Sequence, residues 1–369
     1  MKRILFLHDT LGMGGAEQLR FTLLKNIDRA NYDVRICCIS NRGVIGEAIK
    51  GLGFTVDELG LDPNPKNIFT TLKIIKYLKS QKIDVLHTSL FNANFHGRIA
   101  GSMCNIPRLI SEMHGQHYEF KNVKYLFHLL SERLLYLMND VIICCSENSR
   151  QYIIKREAIP PSKIVTITNC IDPSAYRVKE PRDSLRQKLG ISDELALITV
   201  ASFWKMKGHI YLLRALSELK GLGYKFKWLC AGDGPLREPM QKICAKFKLT
   251  KDVIFLGRVS HIADYLNASD LFVLPSLSEA LSIALIEAMY AGLFCIVTDV
   301  GSNRELIENN LNGLIVKPAS KEALRKALIF CFDNRQRLGR PVQDSKIRIE
   351  KKYLLTDDYL RKFYEIWQS

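Results

Sequence analysis

The sequence predicts a doubly wound α/β protein with two domains of similar size. Short apolar runs alternate with helix-like segments along the chain, in the order typical of parallel sheets covered by helices. The runs are apolar throughout rather than at every second position, which favours strands buried on both faces. This alternation stops at residues 172–190 and then starts again. We therefore expect two sheets, with a ligand site in a cleft between the two domains.

The predicted strands follow the apolar runs of each half. In the first half the strands are 3–8, 33–39, 83–89, 108–113, 140–146 and 163–169, and the helical stretches include 16–29, 67–81 and 123–138. In the second half the strands are 195–201, 225–231, 252–257, 270–275, 293–299 and 313–316. The stretch between the halves is polar and contains Pro173 and Pro181, which indicates a linker with a short helix.

These patterns predict the domain boundaries. The first domain covers 1–175, the linker 176–189 and the second domain 190–350. The C-terminal segment 353–369 is an amphipathic helix that we expect to pack back on the first domain. Its apolar residues recur at helical spacing and are Tyr359, Phe363, Ile366 and Trp367.

Composition indicates a globular protein of the cytoplasm. The chain has 369 residues, of which 47% are hydrophobic and 25% charged. The first apolar run, Ile4–Leu7, is too short for a secretory signal, and the sequence contains no apolar run of the ~18 residues that would span a bilayer. The ten cysteines form no CxxC pair and several lie in apolar strands, which argues against disulfides and a zinc site.

The chain carries a formal net charge of +15. Such a field attracts nucleic acid, anionic lipid or phosphorylated substrates, and it also fits a solvated basic surface. The sequence contains no recognisable nucleic-acid-binding module and no basic patch interleaved with aromatic residues, so we expect no nucleic-acid partner.

Two glutamates stand out in the segment SLSEALSIALIEAMYAG. Glu279 and Glu287 are eight residues apart in a stretch that is otherwise small and apolar. One interpretation is structural: Ser276 and Glu279 fit a capping box, and Glu287 is an exposed helical residue.

The functional interpretation is a binding site for a long ligand. In one helix, eight residues rise ~12 Å, too far for the ~5–9.5 Å of a glycosidase acid/base pair. Two carboxylates at this distance could instead hold the hydroxyls at both ends of a nucleotide-sugar. Leu281, Ser282 and Ile283 would begin the helix and offer backbone N–H groups to its diphosphate.

Phrases in the same order along nearly the whole chain resemble the retaining glycosyltransferases of family 4, also called group 1. They are GMGGAE at 12–17, SEMHG at 111–115, CCSE at 144–147, NCID at 169–172, KMKGH at 205–209, AGDGP at 231–235, FLGRV at 255–259, the E-x7-E segment from Glu279 to Glu287, and VTDVGSNRELI at 297–307. The resemblance implies the GT-B fold, with two Rossmann-like doubly wound parallel-sheet domains facing across a cleft. It also implies that the N-terminal domain binds the acceptor and the C-terminal domain the nucleotide-sugar.

The resemblance also implies roles for single residues of the C-terminal domain. Glu279 would contact the donor sugar at the reacting end and Glu287 the ribose. Lys207 would neutralise the diphosphate and the charge that develops as it leaves. The backbone of Val259 would meet the base.

Two positions depart from the family pattern. Ser202 stands where relatives often have a phosphate-binding arginine. Its hydroxyl could hydrogen-bond the phosphate, and Lys205 or Arg258 could supply the missing charge. Ala280 replaces the usual glycine after the first glutamate, which indicates a variant sugar pocket.

The N-terminal domain offers two further candidate sites. GMGGAE lacks the third glycine of a dinucleotide fingerprint, so NAD binding is not expected. The resemblance implies that Gly14 and Gly15 let this loop approach the donor phosphates, while a tight strand–helix turn explains them equally well. His114, in SEMHG, would contact the reacting sugar or stabilise the transition state, and His117 is a weaker alternative.

Two apolar and basic segments suggest an acceptor at a membrane. Residues 66–82 carry five lysines, and Ile68, Leu72, Ile75 and Leu78 are predicted to share one face. This helix either packs on the sheet with its lysines in water or lies on anionic lipid. Residues 123–138 are more apolar and follow His114. We expect a peripheral protein on the cytoplasmic face of the inner membrane.

The expected activity is therefore metal-independent hexosyl transfer, with retention, from a UDP-sugar to a glycan or polyprenyl-diphosphate-linked acceptor in surface polysaccharide biosynthesis. No cofactor is expected beyond the nucleotide-sugar itself. A nucleotide-sugar epimerase of the same fold and a catalytically silent sugar-binding relative remain as alternatives.

Overall fold

The computed structural model describes residues 1–114, 132–308, 310–338 and 342–369. It divides into two compact units. Unit 1 comprises residues 1–169 and 355–369, and unit 2 comprises residues 170–354.

Unit 1 is built on a seven-stranded parallel sheet in the order β3-β2-β1-β4-β5-β6-β7. Its strands are β1 (Lys2–His8), β2 (Tyr32–Cys38), β3 (Thr55–Glu58), β4 (Val85–Ser89), β5 (Arg108–Met113), β6 (Val141–Cys144) and β7 (Ile164–Thr166). Strand β3 is absent from the predicted strands, because this edge strand buries only Val56 and so lacks an apolar run. The order reverses between β1 and β4, as in doubly wound sheets.

Helices cover both faces of this sheet. They are Gly15–Lys25, Gly43–Gly51, Ile68–Ser80, Phe91–Met103, Glu147–Tyr152 and Asp357–Gln368. The last of these buries Leu360, Phe363, Ile366 and Trp367 in the same apolar cluster as Ile4 and Phe6 of β1. Most of the predicted helix 123–138 lies outside the described residues, and 132–136 are helical.

The helix Ile68–Ser80 corrects one detail of the sequence analysis. Ile75 and Leu78 lie in the core, whereas Ile68 and Leu72 are exposed, together with Phe69. The predicted single apolar face is therefore wrong. The inner stripe is formed by Ile74, Ile75 and Leu78, and the three exposed apolar side chains form a separate patch at the N-terminal end.

Unit 2 contains a six-stranded parallel sheet in the order β10-β9-β8-β11-β12-β13. Its strands are β8 (Leu195–Val200), β9 (Phe226–Ala231), β10 (Val253–Gly257), β11 (Leu271–Leu274), β12 (Phe294–Thr298) and β13 (Gly313–Val316). Its α-helices are Arg182–Lys188, His209–Gly221, Arg237–Lys246, Ile262–Ala268, Ile283–Tyr290, Asn303–Leu306, Lys321–Asp333 and Val342–Lys352.

Residues 176–189, assigned to a linker from the sequence, belong to unit 2. Arg182 Nη2 lies 2.5 Å from Asp270 Oδ1, and the buried Arg186 places Nη1 3.2 Å from Asp270 Oδ2. These ion pairs attach the short helix to the start of β11. The sequence does not reveal them because Asp270 is more than eighty residues away along the chain.

The two parallel sheets with covering helices confirm the predicted doubly wound α/β class. The ten cysteines are free thiols. None of the helices in the described part of the chain combines the length and the apolar composition of a membrane-spanning segment.

Candidate functional site

The centre of the candidate site in unit 2 is an ion pair beyond the carboxyl end of β11. Lys207 Nζ donates to Glu279 Oε1 at 2.7 Å, and Ser276 Oγ donates to the same oxygen at 2.7 Å. The side chain of Glu279 is only 8% exposed and that of Lys207 23%. The structure thus brings together two residues that the sequence analysis assigned to the donor site from distant segments.

Close backbone packing places Lys207 beside Glu279. Gly208, which follows Lys207, has a φ of 64°, and a Cβ atom there would collide with the carbonyl oxygen of Pro275. Only glycine tolerates both conditions. The N–H of Leu277 donates to the carbonyl of Met206 at 2.6 Å, which fastens the lysine loop to the loop that carries Glu279.

The helix of the E-x7-E segment begins later than the capping box requires. It runs over Ile283–Tyr290 with Ser282 as N-cap, and Ser282 Oγ accepts the N–H of Leu285 at 3.3 Å. The Ser276 hydroxyl donates a hydrogen bond to the Glu279 side chain instead of accepting one from a helical N–H. The capping-box interpretation is therefore wrong, and a distance based on one continuous helix from Glu279 to Glu287 does not apply.

Glu287 is buried in the helix rather than exposed, so the second half of the structural interpretation is also wrong. Its Oε1 accepts the hydroxyl of Tyr176 at 2.5 Å. Burial raises the pKa of Glu287 to about 7, while the hydrogen bond from Tyr176 opposes this change. A tyrosine hydroxyl thus contacts one of the two carboxylate oxygens of the residue expected to bind ribose.

The remaining predicted donor residues of unit 2 lie in loops at the carboxyl ends of the strands. Ser202 follows β8 and Val259 follows β10, and both are half-buried. Leu281 lies just before the helix N-cap, in the same loop as Glu279. Arg258 Nε is 3.8 Å from Asp233 Oδ2, so this candidate replacement for the missing arginine is partly neutralised by a half-exposed aspartate.

In unit 1, Gly14 and Gly15 lie at the start of the helix Gly15–Lys25. Gly14 is the N-cap, in extended backbone conformation, and the Glu17 side chain lies close to it. A Cβ atom at Gly14 would meet Glu17 Oε2, the far end of a flexible side chain that can move aside. Burial raises the pKa of Glu17.

His114 directly follows β5 and its side chain is 15% exposed. Its Nε2 lies 2.7 Å from Oε2 of Glu112, a buried residue of the same strand. Arg20 Nη2 donates to this oxygen at 2.6 Å, and His87 Nε2 lies 3.0 Å from Glu112 Oε1. Although burial opposes ionisation, the charge of Arg20 and the contacts with His87 and His114 hold the pKa of Glu112 well below its ordinary value. The weaker candidate, His117, lies outside the described residues.

Sequence reasoning missed the partners of both candidate sites. Glu112 interrupts the apolar strand RLISEM, and a charged residue at a buried position signals a partner. Arg20, His87 and Tyr176 carry no such signal. They lie on other elements, and only the packing brings them to Glu112 and Glu287.

Two family models match the chain. The model described as Glycosyltransferase Family 4 matches residues 13–175, and the model described as Glycosyl transferases group 1 matches residues 181–347. The chain belongs to this family. It is a glycosyltransferase, as the sequence resemblance predicted.

Similar proteins agree with this assignment. The UDP-Gal:alpha-D-GlcNAc-diphosphoundecaprenol alpha-1,3-galactosyltransferase of Escherichia coli is 28% identical over 278 residues, covering 73% of this chain and 72% of its own length. The structure of Anabaena HepE, solved with UDP-glucose, superimposes with a TM-score of 0.84 at 18% identity and full coverage of both chains. WaaG, a glycosyltransferase involved in lipopolysaccharide biosynthesis, gives a TM-score of 0.80 at 18% identity, covering 99% of this chain and 100% of its own. The glycosyltransferase therefore has the GT-B fold.

Proposed function

We propose that the enzyme transfers a hexosyl group, with retention of configuration and without a metal ion, from a UDP-sugar to a glycan or lipid-linked acceptor. The observation that carries this proposal is the cluster of Lys207, Glu279 and Ser276 at the carboxyl edge of the unit 2 sheet. Unit 2 is assigned to the donor and unit 1 to the acceptor.

The cluster suits a nucleoside diphosphate that leaves during the reaction. Lys207 supplies a compact positive charge for the phosphate oxygens and stabilises the charge that develops on them. Ser276 and Lys207 orient Glu279 so that its carboxylate can accept a hydrogen bond from a sugar hydroxyl. The same lysine supplies charge that a metal ion supplies elsewhere.

Retention fits a front-face reaction. The bond from the anomeric carbon to the phosphate oxygen breaks while the acceptor oxygen forms its bond on the same face. The acceptor proton passes to the departing phosphate, so no protein nucleophile is needed. In unit 1, His114 would contact the reacting sugar or stabilise the transition state.

The choice of UDP and of a lipid-linked acceptor rests on the relative from Escherichia coli, whose name specifies UDP-Gal and a diphosphoundecaprenol acceptor. With a polyprenyl-diphosphate acceptor, the transfer reaction would take place at the cytoplasmic face of the inner membrane, as a step of surface polysaccharide biosynthesis. The competing proposal is that the protein binds a nucleotide-sugar without catalysing transfer, and the donor experiment below tests it. An epimerase is not favoured, since the chain belongs to a transferase family.

The helix Ile68–Ser80 provides the membrane contact in this proposal. Ile68, Phe69 and Leu72 are exposed by 66%, 70% and 51% at its N-terminal end. Five lysines lie in and beside the same helix, Lys66, Lys73, Lys76, Lys79 and Lys82. Apolar side chains next to lysines match the requirements of anionic lipid surfaces.

Replacing Phe69 by glutamate is expected to lower binding to anionic vesicles about tenfold or more, because a large apolar side chain contributes ~1.5–3 kcal/mol on burial. Flotation with phosphatidylglycerol liposomes measures this. Phe330→Glu in unit 2, which changes another exposed phenylalanine, is the matched control. If wild type and both variants float to the same extent, the helix Ile68–Ser80 does not contact the membrane.

The donor is tested with a panel of nucleotide-sugars. We expect one UDP-sugar to raise the melting temperature of the purified protein and to be hydrolysed slowly, with EDTA having no effect. Proton NMR of the transfer product reads the anomeric configuration. A protein stabilised by a UDP-sugar but unable to cleave it would be a silent relative, and inversion of configuration would overturn the proposed front-face reaction.

A further inference from the structure

We propose that Glu112 is a positioning residue that fixes the tautomer and orientation of His114, and that His87 and Trp367 hold Glu112 in place. The inference rests on the proposed function of His114 at the reacting sugar. It follows from buried polar contacts in unit 1 that meet at Glu112.

The contact between Glu112 and His114 determines where the imidazole carries its proton. Glu112 Oε2 lies 2.7 Å from His114 Nε2. An ionised carboxylate only accepts hydrogen bonds, so Nε2 must carry the hydrogen. The neutral ring then has Nδ1 as its acceptor nitrogen. Glu112 thus decides which nitrogen of His114 can receive a hydrogen bond from a sugar hydroxyl.

A second histidine faces the other oxygen of Glu112. Trp367 Nε1 can only donate, and it donates to His87 Nδ1 at 3.2 Å. The hydrogen of a neutral His87 is therefore on Nε2, which lies 3.0 Å from Glu112 Oε1. This contact is short but lacks the alignment of a full hydrogen bond. The C-terminal helix is thereby connected to His114 through His87 and Glu112.

The surrounding charges keep Glu112 ionised. Arg20 Nη2 donates to Glu112 Oε2, and the Arg20 guanidinium lies 3.7 Å from the centre of the Phe6 ring. Arg20 Nε donates to His8 Nε2 at 3.1 Å, so His8 must be neutral there. Burial, followed by the charge of Arg20, lowers the pKa of His8 well below its ordinary value.

His87, which faces the other oxygen of Glu112, is neutral at pH 7, as is His8. Burial also lowers the pKa of His87. Among the described residues, the charged groups that face Glu112 and His114 are Arg20 and Glu17 of the helix Gly15–Lys25, while His8 on β1 and His87 on β4 are neutral. The buried carboxylate of Glu112 thus lies between Arg20 and the two imidazoles of His87 and His114.

A purely structural ion pair is the competing interpretation, and the same unit contains one for comparison. Arg98 Nη1 donates to Glu132 Oε2 at 2.8 Å, and both side chains are as deeply buried as Arg20 and Glu112. Glu132 makes no described contact with His114. Glu132→Gln therefore reproduces the loss of a buried charge without touching the candidate catalytic histidine.

The experiment compares Glu112→Asp, Glu112→Gln and Glu132→Gln with the wild type. Aspartate keeps the negative charge beside Arg20 but does not reach His114 at the same distance. We expect kcat for the donor to fall on the order of tenfold or more in both Glu112 variants, with KM changed less than about twofold. Glu132→Gln is expected to keep the wild-type kcat even where it lowers the melting temperature.

Nitrogen-15 NMR of the imidazoles supplies a readout that does not depend on activity. His114, assigned by comparison with His114→Asn, should carry its proton on Nε2 in the wild type and lose this preference in Glu112→Asp. Trp367→Phe should weaken the preference as well, because His87 loses its donor.

A wild-type His114 protonated on Nδ1, or a Glu112→Asp variant with normal kcat and normal tautomer, would overturn the inference while leaving the proposed transferase intact. Conversely, failure of wild-type protein to cleave any nucleotide-sugar would remove the proposed function. The NMR comparison would still decide whether Glu112 sets the tautomer of His114.

Discussion

Lys207→Ala is expected to lower the turnover of the donor about 10²–10³-fold, the effect of removing one preorganised group that stabilises developing charge. The loss should be larger in kcat than in KM, since the leaving diphosphate gains charge as the bond breaks. Because Lys207 pairs with Glu279 at 2.7 Å, the variant also leaves a buried carboxylate with Ser276 as its remaining described partner.

The matched control is Lys246→Ala, which removes an exposed lysine from the helix Arg237–Lys246 of the same unit. Steady-state release of UDP from the donor identified by the panel measures both variants. Equal rates for Lys207→Ala and Lys246→Ala would show that the lysine stabilises no charge in the transition state. Glu279→Gln, which keeps the hydrogen-bond acceptor but not the charge, separates the role of Lys207 from that of its partner.

Glu287→Gln is expected to stabilise the ligand-free protein at pH 8 by up to about 3 kcal/mol. The pKa of this buried glutamate is about 7 against an ordinary value of 4.5. A pKa that differs by one between the folded and unfolded states changes the free energy of unfolding by about 1.4 kcal/mol. Because the folded state binds the proton more tightly, the stabilising contribution is complete below pH 4.5 and is lost as the pH rises through 7. Glutamine does not ionise and avoids this loss.

Chemical denaturation at pH 5 and pH 8 measures the effect. The difference between Glu287→Gln and wild type should be small at pH 5 and large at pH 8, and Glu350→Gln, at an exposed position, should show no such dependence. A pH-independent difference would mean that Glu287 ionises normally in the folded protein.

The same substitution should weaken UDP binding about 10–100-fold at pH 8, since a hydrogen bond to a charged group contributes ~1.5–3 kcal/mol. Removing a buried charge that serves function usually makes a protein more stable and weakens its ligand binding. Isothermal titration with UDP tests this. Unchanged affinity would mean that Glu287 serves only as the hydrogen-bond partner of Tyr176 and does not bind the ribose.

The local pattern of the sequence was sufficient for most of the fold. Runs of residues apolar at every position predicted the buried parallel strands, since a strand covered on both faces can carry few polar side chains. The local pattern failed at β3, which is an edge strand with one buried residue. It also failed at residues 176–189, because Arg182 and Arg186 pair with Asp270, which lies far along the chain. The exposed patch around Phe69 also escaped it, because spacing does not reveal which side of a helix faces the core.

The sequence by itself therefore determined the α/β class, the family and the separate segments that carry Lys207, Glu279, Glu287 and His114. Only the tertiary structure decided their partners. It joined Lys207 to Glu279, buried Glu287 against Tyr176, and surrounded Glu112 with Arg20, His87 and His114. The physical reason is that strand and helix formation depends on neighbours along the chain, whereas a buried charge depends on whichever distant group packing brings within hydrogen-bond distance.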